Sequence, residues 1–169
     1  MTAIDDALRA NEHYAQTFTA GNLAAPPRRR LAVLACMDAR LAIHRMLALE
    51  EGDAHVIRNA GGIVDEDALR SLLISHHVLG TRELMLIHHT DCGMLGLREE
   101  ELRSKLIKES GAAAVAPARF YGFQELESNL REQMAKLRSH PWVPDAVTMR
   151  AFIFDVRTGR LREVAAAAE

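Results

Sequence analysis

Apolar residues follow two rhythms along this chain. Short, nearly continuous apolar runs alternate with stretches in which apolar positions recur every three or four residues. Leu31–Cys36 (LAVLAC), Ala54–Arg58 and Glu83–His88 are runs of the first kind, and their length and aliphatic content predict buried strands. Between them, the residues after Arg40 (LAIHRMLALEEGD) have helical spacing ended by Gly52 and Asp53. A second helix carries Ala68, Leu69, Leu72, Leu73, Val78 and Leu79, with Asp65 or Asp67 as its cap and Gly80 as its stop. Strand, helix and strand repeat twice, which predicts parallel βαβ units with right-handed crossovers.

The same reading extends outward from this centre. Asp5–Thr19 has a loose helical spacing ahead of Gly21 and Asn22, and this helix packs either on a partner subunit or on its own core. Ala24–Arg30 is a linker. Leu97–Ser110 is a charged helix with Leu97, Leu102, Leu106 and Ile107 as its buried stripe, and Gly111–Pro117 is a small-residue loop. Phe120–Leu137 is a further amphipathic helix, stopped by Ser139, His140 and Pro141. Ala151–Val156 and Leu161–Val164 flank Arg157–Arg160, a hairpin with glycine at its turn, so the last strand adds antiparallel at the sheet edge. The alanine-rich tail 165–169 reads as frayed. The predicted fold class is α/β, a mostly parallel central sheet flanked by helices with an antiparallel C-terminal edge strand, in one domain over 1–169 with residues 1–30 as N-terminal helix and linker.

Composition narrows the function classes. At 169 residues, 49% hydrophobic and 26% charged, the chain suits one globular core. A net charge of −2, with no basic stripe beyond Arg28–Arg30, argues against nucleic acid. The N-terminus has acids and no apolar targeting core, and no run nears the roughly 18 apolar residues of a membrane span. A cytoplasmic protein without membrane attachment is expected. In that reducing compartment the two cysteines point to metal binding or catalysis rather than to a disulfide.

Both cysteines sit just beyond the end of a strand. Cys36 closes the first run and is followed by Asp38 and Arg40, while His89, Thr90, Asp91, Cys92 and Gly93 follow the third. Parallel sheets bind ligands outside the carboxyl ends of their strands, where strand order reverses. If the two strands are neighbours there, Cys36, His89 and Cys92 converge as two thiolates and an imidazole, a tetrahedral zinc site with one position open. Such a zinc activates water near or somewhat above neutrality, and the resulting hydroxide attacks small electrophilic carbon such as carbon dioxide.

Asp38 and Arg40 share a face if strand geometry persists, and an aspartate held by arginine stays ionised to orient the nucleophile. Released, it could swing onto the metal, so the pair is a candidate gate as well as an orienter. Gly93 leaves its amide unshielded for a substrate oxygen, with Gly61 a further substrate-binding candidate, and the adjacent Gly61 and Gly62 either let the backbone approach something closely or make a tight turn. His88 should face away from His89 and pack. His44, His76 and His77 read as solvated or interface histidines, and Trp142 as a packing anchor.

At three of these stretches the sequence resembles the β-class carbonic anhydrases, in particular the short archaeal and actinobacterial branch. The stretches are Cys36–Arg40, Arg58–Gly62 and His89–Met94, with further likeness through Ser139–Pro144 to the Phe154–Leu161 hairpin. The resemblance implies Cys36, His89 and Cys92 as zinc ligands, one zinc per chain, and Asp38 and Arg40 as the dyad that holds the site open. It also implies a homodimer or dimer-based oligomer, and reversible hydration of carbon dioxide to bicarbonate and a proton. Two rivals share the motif: hydrolysis of carbonyl sulfide or carbon disulfide at the same zinc, and a non-enzymatic module whose structural zinc is closed by Asp38.

Overall fold

The structure, a computed structural model, describes residues 1–165, so the tail beyond Ala165 lies outside the described residues. Five strands form one sheet in the order β2-β1-β3-β4-β5. They are β1 (Leu31–Cys36), β2 (Ala54–Asn59), β3 (Glu83–His89), β4 (Thr148–Phe154) and β5 (Leu161–Val164). The first four run parallel, and β5 pairs antiparallel with β4 through Phe154↔Leu161. Strands buried on both faces read as continuous apolar runs, and β1 is buried at every position from Ala32 to Cys36. The expected fold class therefore stands, antiparallel edge included.

One sheet face packs Ala32, Leu34, Leu84 and Leu86 against two helices, α3 (Glu66–His77) and α5 (Leu126–Arg138). The Asp65 carboxylate caps α3 by accepting from the Ala68 N–H at 2.8 Å. The other face packs Val33, Ala35 and Ile87 against Leu41, Ile43, Leu49, Phe123 and Phe154.

Four sequence readings change. The helix after Arg40 shrinks to α2 (Ile43–Met46), because Leu41, Ile43 and Leu49 all turn inward and their spacing is not that of one helical face. The last helix begins at Leu126 rather than Phe120. Residues before it are not helical; Phe123 pairs with Leu95, and Glu125 accepts from the Ser128 N–H as the cap. Helix α4 (Glu99–Ser110) buries none of its residues, and Leu106 and Ile107 stay exposed. Its stripe is narrow between charged flanks, and no sheet face lies under it. Helix α1 (Ala3–Thr17), closed by a Thr2–Asp5 capping box, also buries nothing, with Ile4, Leu8 and Tyr14 exposed.

Gly62 fits the β2–α3 turn against the end of β1. Its φ is +68°, and a Cβ there would stand 3.0 Å from the Cys36 nitrogen and 3.1 Å from the Ala35 carbonyl carbon. The sequence left open whether the glycine pair makes a turn or a close approach; Gly62 does both. Replacing Gly62 with alanine is expected to cost at least about 1–2 kcal/mol of stability, from the left-handed backbone plus the clash with β1. Chemical denaturation of the variant checks this, and an unchanged midpoint would contradict it.

Candidate metal centre

Strand order reverses between β1 and β3, since β1 connects on to β2 on one side and the chain returns to β3 on the other. The crevice beyond their carboxyl ends is where such sheets bind ligands. Cys36 is the last residue of β1 and His89 the last of β3. Thr90 continues that ladder, its N–H donating to the Phe154 carbonyl (2.9 Å) while its hydroxyl accepts from the Val156 N–H (3.1 Å). Asp91 then turns with φ +56°, a left-handed conformation aspartate tolerates, and this brings Cys92 back under His89.

The donor atoms of Cys36, His89 and Cys92 all lie within 4.8 Å of one another, and all three residues are buried. Among the described residues no other group of His, Cys, Asp and Glu meets that test. The fit to a metal is carried by His89. Its Nδ1 lies 2.9 Å from the Thr90 carbonyl, which fixes the tautomer with a proton on Nδ1. Its Nε2 is buried and has no hydrogen-bond partner, leaving a lone pair free for a metal shared with the two nearby sulfurs. A buried unpaired nitrogen is costly, and at His89, unlike at His88 whose Nδ1 is also unpaired, two thiols stand close enough to share a metal with it. Two thiol sulfurs and one imidazole nitrogen suit zinc.

The charge of this pocket is shared. Hydrogen bonding from the Cys92 thiol pulls the Cys36 pKa well below the usual thiol value against the opposing effect of burial, with help from backbone N–H groups of Asp38 and Gly61. Cys92 moves up in consequence, as the donor in that bond and through burial. One thiolate of the pair is thus favoured by the other thiol's hydrogen bond, and a metal has a thiol proton to displace on binding.

Asp38 and Arg40 do pair, but not by strand geometry, because β1 ends at Cys36. A turn brings them together: Arg40 Nε donates to Asp38 Oδ1 (2.9 Å), Nη2 to Oδ2 (2.7 Å), and the Arg40 backbone N–H also to Oδ1 (2.9 Å). These bonds hold the Asp38 carboxyl far below the ordinary carboxylate range. Asp38 Oδ2 stands 3.8 Å from His89 Nε2, so the carboxylate faces the donor cluster. Gly61 donates its N–H to Cys36 Sγ at 3.4 Å, which engages that amide with the sulfur. Gly93 is exposed beside Cys92, and a Cβ there would meet nothing within 4 Å.

His88 packs as expected, stacked on Phe123 with ring centroids 5.6 Å apart, and burial pulls its pKa down to about 4, leaving it neutral. Two supporting residues escaped the sequence reading. Arg58, at the end of β2, donates Nε and Nη2 to the Cys36 carbonyl (2.9 and 2.8 Å) and Nη2 to the Asp38 carbonyl (2.7 Å). Asp91 accepts from Arg40 Nη1 at 2.8 Å. A signal for Arg58 existed, since the parallel register sets Asn59 against Cys36.

A mostly parallel sheet with a buried Cys2His donor set at its switch point, and an ion-paired carboxylate beside it, defines an α/β protein with a metal centre. The chain belongs to the β-carbonic anhydrase family: the carbonic anhydrase family model matches residues 31–161. It is 43% identical over 164 residues to β-carbonic anhydrase 1 of Mycobacterium tuberculosis, covering 97% of this chain and 99% of the relative. It is 35% identical over 156 residues to a carbon disulfide hydrolase of Acidithiobacillus thiooxidans, covering 81% and 78%. The crystal structure of a carbonic anhydrase from Streptococcus mutans superposes with a TM-score of 0.91 at 38% identity, covering 98% of this chain and 99% of that one. Zinc is the metal of this family, and the three donors found here suit it.

Proposed function

We propose that the chain catalyses the reversible hydration of carbon dioxide to bicarbonate and a proton, at a zinc held by Cys36, His89 and Cys92. The observation that carries this reading is the convergence of the three buried donors beside an ionised carboxylate that is held by arginine rather than by the donors themselves. When bound, zinc supplies a Lewis acid that lowers the pKa of water toward neutrality.

The chain's own residues supply orientation and exclusion of water. Asp38, kept ionised by Arg40, accepts a hydrogen bond from the attacking water and aims its oxygen lone pair at carbon. Arg40 holds that carboxylate in place. The Gly93 N–H, unshielded by a side chain, donates to the substrate oxygen on which negative charge develops. Gly61 steadies the Cys36 sulfur through its amide. Leu41, Ile63, Ile87, Phe123 and Phe154 belong to the same buried cluster as Cys36 and Cys92, and this apolar surrounding strengthens each of those polar contacts.

Hydrolysis of carbon disulfide or carbonyl sulfide is the second reading, favoured by hydrolase relatives 35% and 37% identical over 81% and 95% of this chain. The metal chemistry is shared, so the gases themselves must decide. Steady-state rates for carbon dioxide, carbonyl sulfide and carbon disulfide on one zinc-loaded preparation are expected to favour carbon dioxide. A clear preference for either sulfur gas overturns that choice.

We also infer that residues 1–169 act as one domain in a homodimer or dimer-based oligomer in the cytoplasm. The exposed apolar residues Ile4, Leu8, Tyr14 and Phe18 along α1 support assembly, and the two free thiols support a reducing compartment. No helix among the described residues is long and apolar enough to cross a membrane. Sedimentation equilibrium giving a single-chain mass at micromolar concentration would contradict the dimer.

A further inference from the structure

We propose that Asp91 is a positioning residue of the metal centre: it anchors the Arg40 guanidinium so that Asp38 stays paired with arginine and off the metal's fourth position. The inference rests on the centre proposed above and concerns what governs access to it.

The geometry is a shared fork. One edge of the guanidinium, Nε and Nη2, faces the two Asp38 oxygens. The adjacent edge faces Asp91: Nη1 donates to its Oδ2 and Nη2 to its backbone carbonyl, both at 2.8 Å. Four of the five guanidinium N–H donors are therefore committed to these two residues. Asp91 presents both acceptors at once because its backbone is left-handed, φ +56°. It lies between His89 and Cys92, whereas Arg40 lies just after Cys36, so this one contact ties the ligand-bearing loop after β3 to the one after β1.

Asp91 is 74% exposed at its side chain and Arg40 is 45% exposed, a setting in which an ion pair adds little to stability. Its effect is on orientation. Without the Asp91 carboxylate, Arg40 keeps only its hold on Asp38 and on one carbonyl, and its long side chain regains freedom. Asp38, whose Oδ2 is already 3.8 Å from His89 Nε2, then competes for the metal as a fourth donor. The proposal is thus that Asp91 sets the balance between an accessible and an Asp38-closed centre.

The test uses the cobalt(II)-substituted chain and thiocyanate, whose binding at an accessible fourth position changes the visible spectrum. Asp91→Asn is expected to bind thiocyanate about 10-fold more weakly than the parent, in the range that outer partners of metal ligands command. Cobalt content and unfolding midpoint should be unchanged, and Asp91→Glu should recover part of the affinity. In the Asp38→Ala/Asp91→Asn double variant the loss should vanish, because no carboxylate remains to compete. Equal thiocyanate affinity in the parent and Asp91→Asn overturns the proposal, and so does a loss that persists once Asp38 is removed. A parent that takes up cobalt but shows no thiocyanate response overturns the accessible centre itself and this inference with it, and it reports that before any variant is compared.

Discussion

Cys92→Ser is expected to strip the chain of stoichiometric zinc. Dialysed variant protein should hold far less than one zinc per chain, and zinc should no longer raise its thermal midpoint. Serine replaces a soft, ionisable sulfur with a hydroxyl that keeps its proton, so only Cys36 and His89 remain as donors. Loss of an outer hydrogen-bond partner already weakens metal sites by roughly 10–100-fold, and loss of a donor should exceed that. A 100-fold weaker affinity removes about 2.7 kcal/mol of metal-linked stability at saturating zinc. The sign with pH follows from the thiols. The thiol pair must give up a proton when metal binds, so zinc affinity in the parent rises with pH and falls in acid. Unchanged zinc stoichiometry in Cys92→Ser would mean that the donor set is wrong.

Asp38→Ala should separate turnover from architecture. The carboxylate faces the donor cluster but is bonded to Arg40, and the variant keeps all three donors. Its kcat/KM for carbon dioxide is expected to fall by about 10–100-fold, while zinc content and unfolding midpoint change little. If zinc were structural and closed by Asp38, the same substitution would remove a ligand. Stability and zinc retention would then drop together, and that result would favour the structural module. Equilibrium unfolding and metal analysis on the same preparation distinguish the two.

Much of this arrangement was legible because the strands are short, aliphatic and buried on both faces. Leu31–Cys36 was bounded to the residue, and β3 ran only one residue longer than expected, taking in His89. Chemistry-bearing side chains abruptly follow those apolar runs, which is how a switch-point site looks in one dimension. Three things resisted. Leu41–Leu49 is apolar at irregular intervals, and packing against the sheet rather than helical period decides its path. Leu102, Leu106 and Ile107 do fall on α4, but no residue spacing says whether a sheet face lies under them. Finally, Arg58 and Asp91 reach the site through contacts 20 to 22 and 51 residues away in sequence, and only strand register and a left-handed turn bring them there. Asp91 reads in the sequence as a spacer between two ligands; the fold makes it a partner of Arg40.

The measurement that bears most directly on the central claim is stopped-flow hydration of carbon dioxide during titration of zinc into the zinc-stripped chain. The rate should climb in proportion to added zinc and level off at one zinc per chain. Hydration by the stripped chain, or none at one zinc per chain, would contradict a carbon dioxide-hydrating zinc at Cys36, His89 and Cys92.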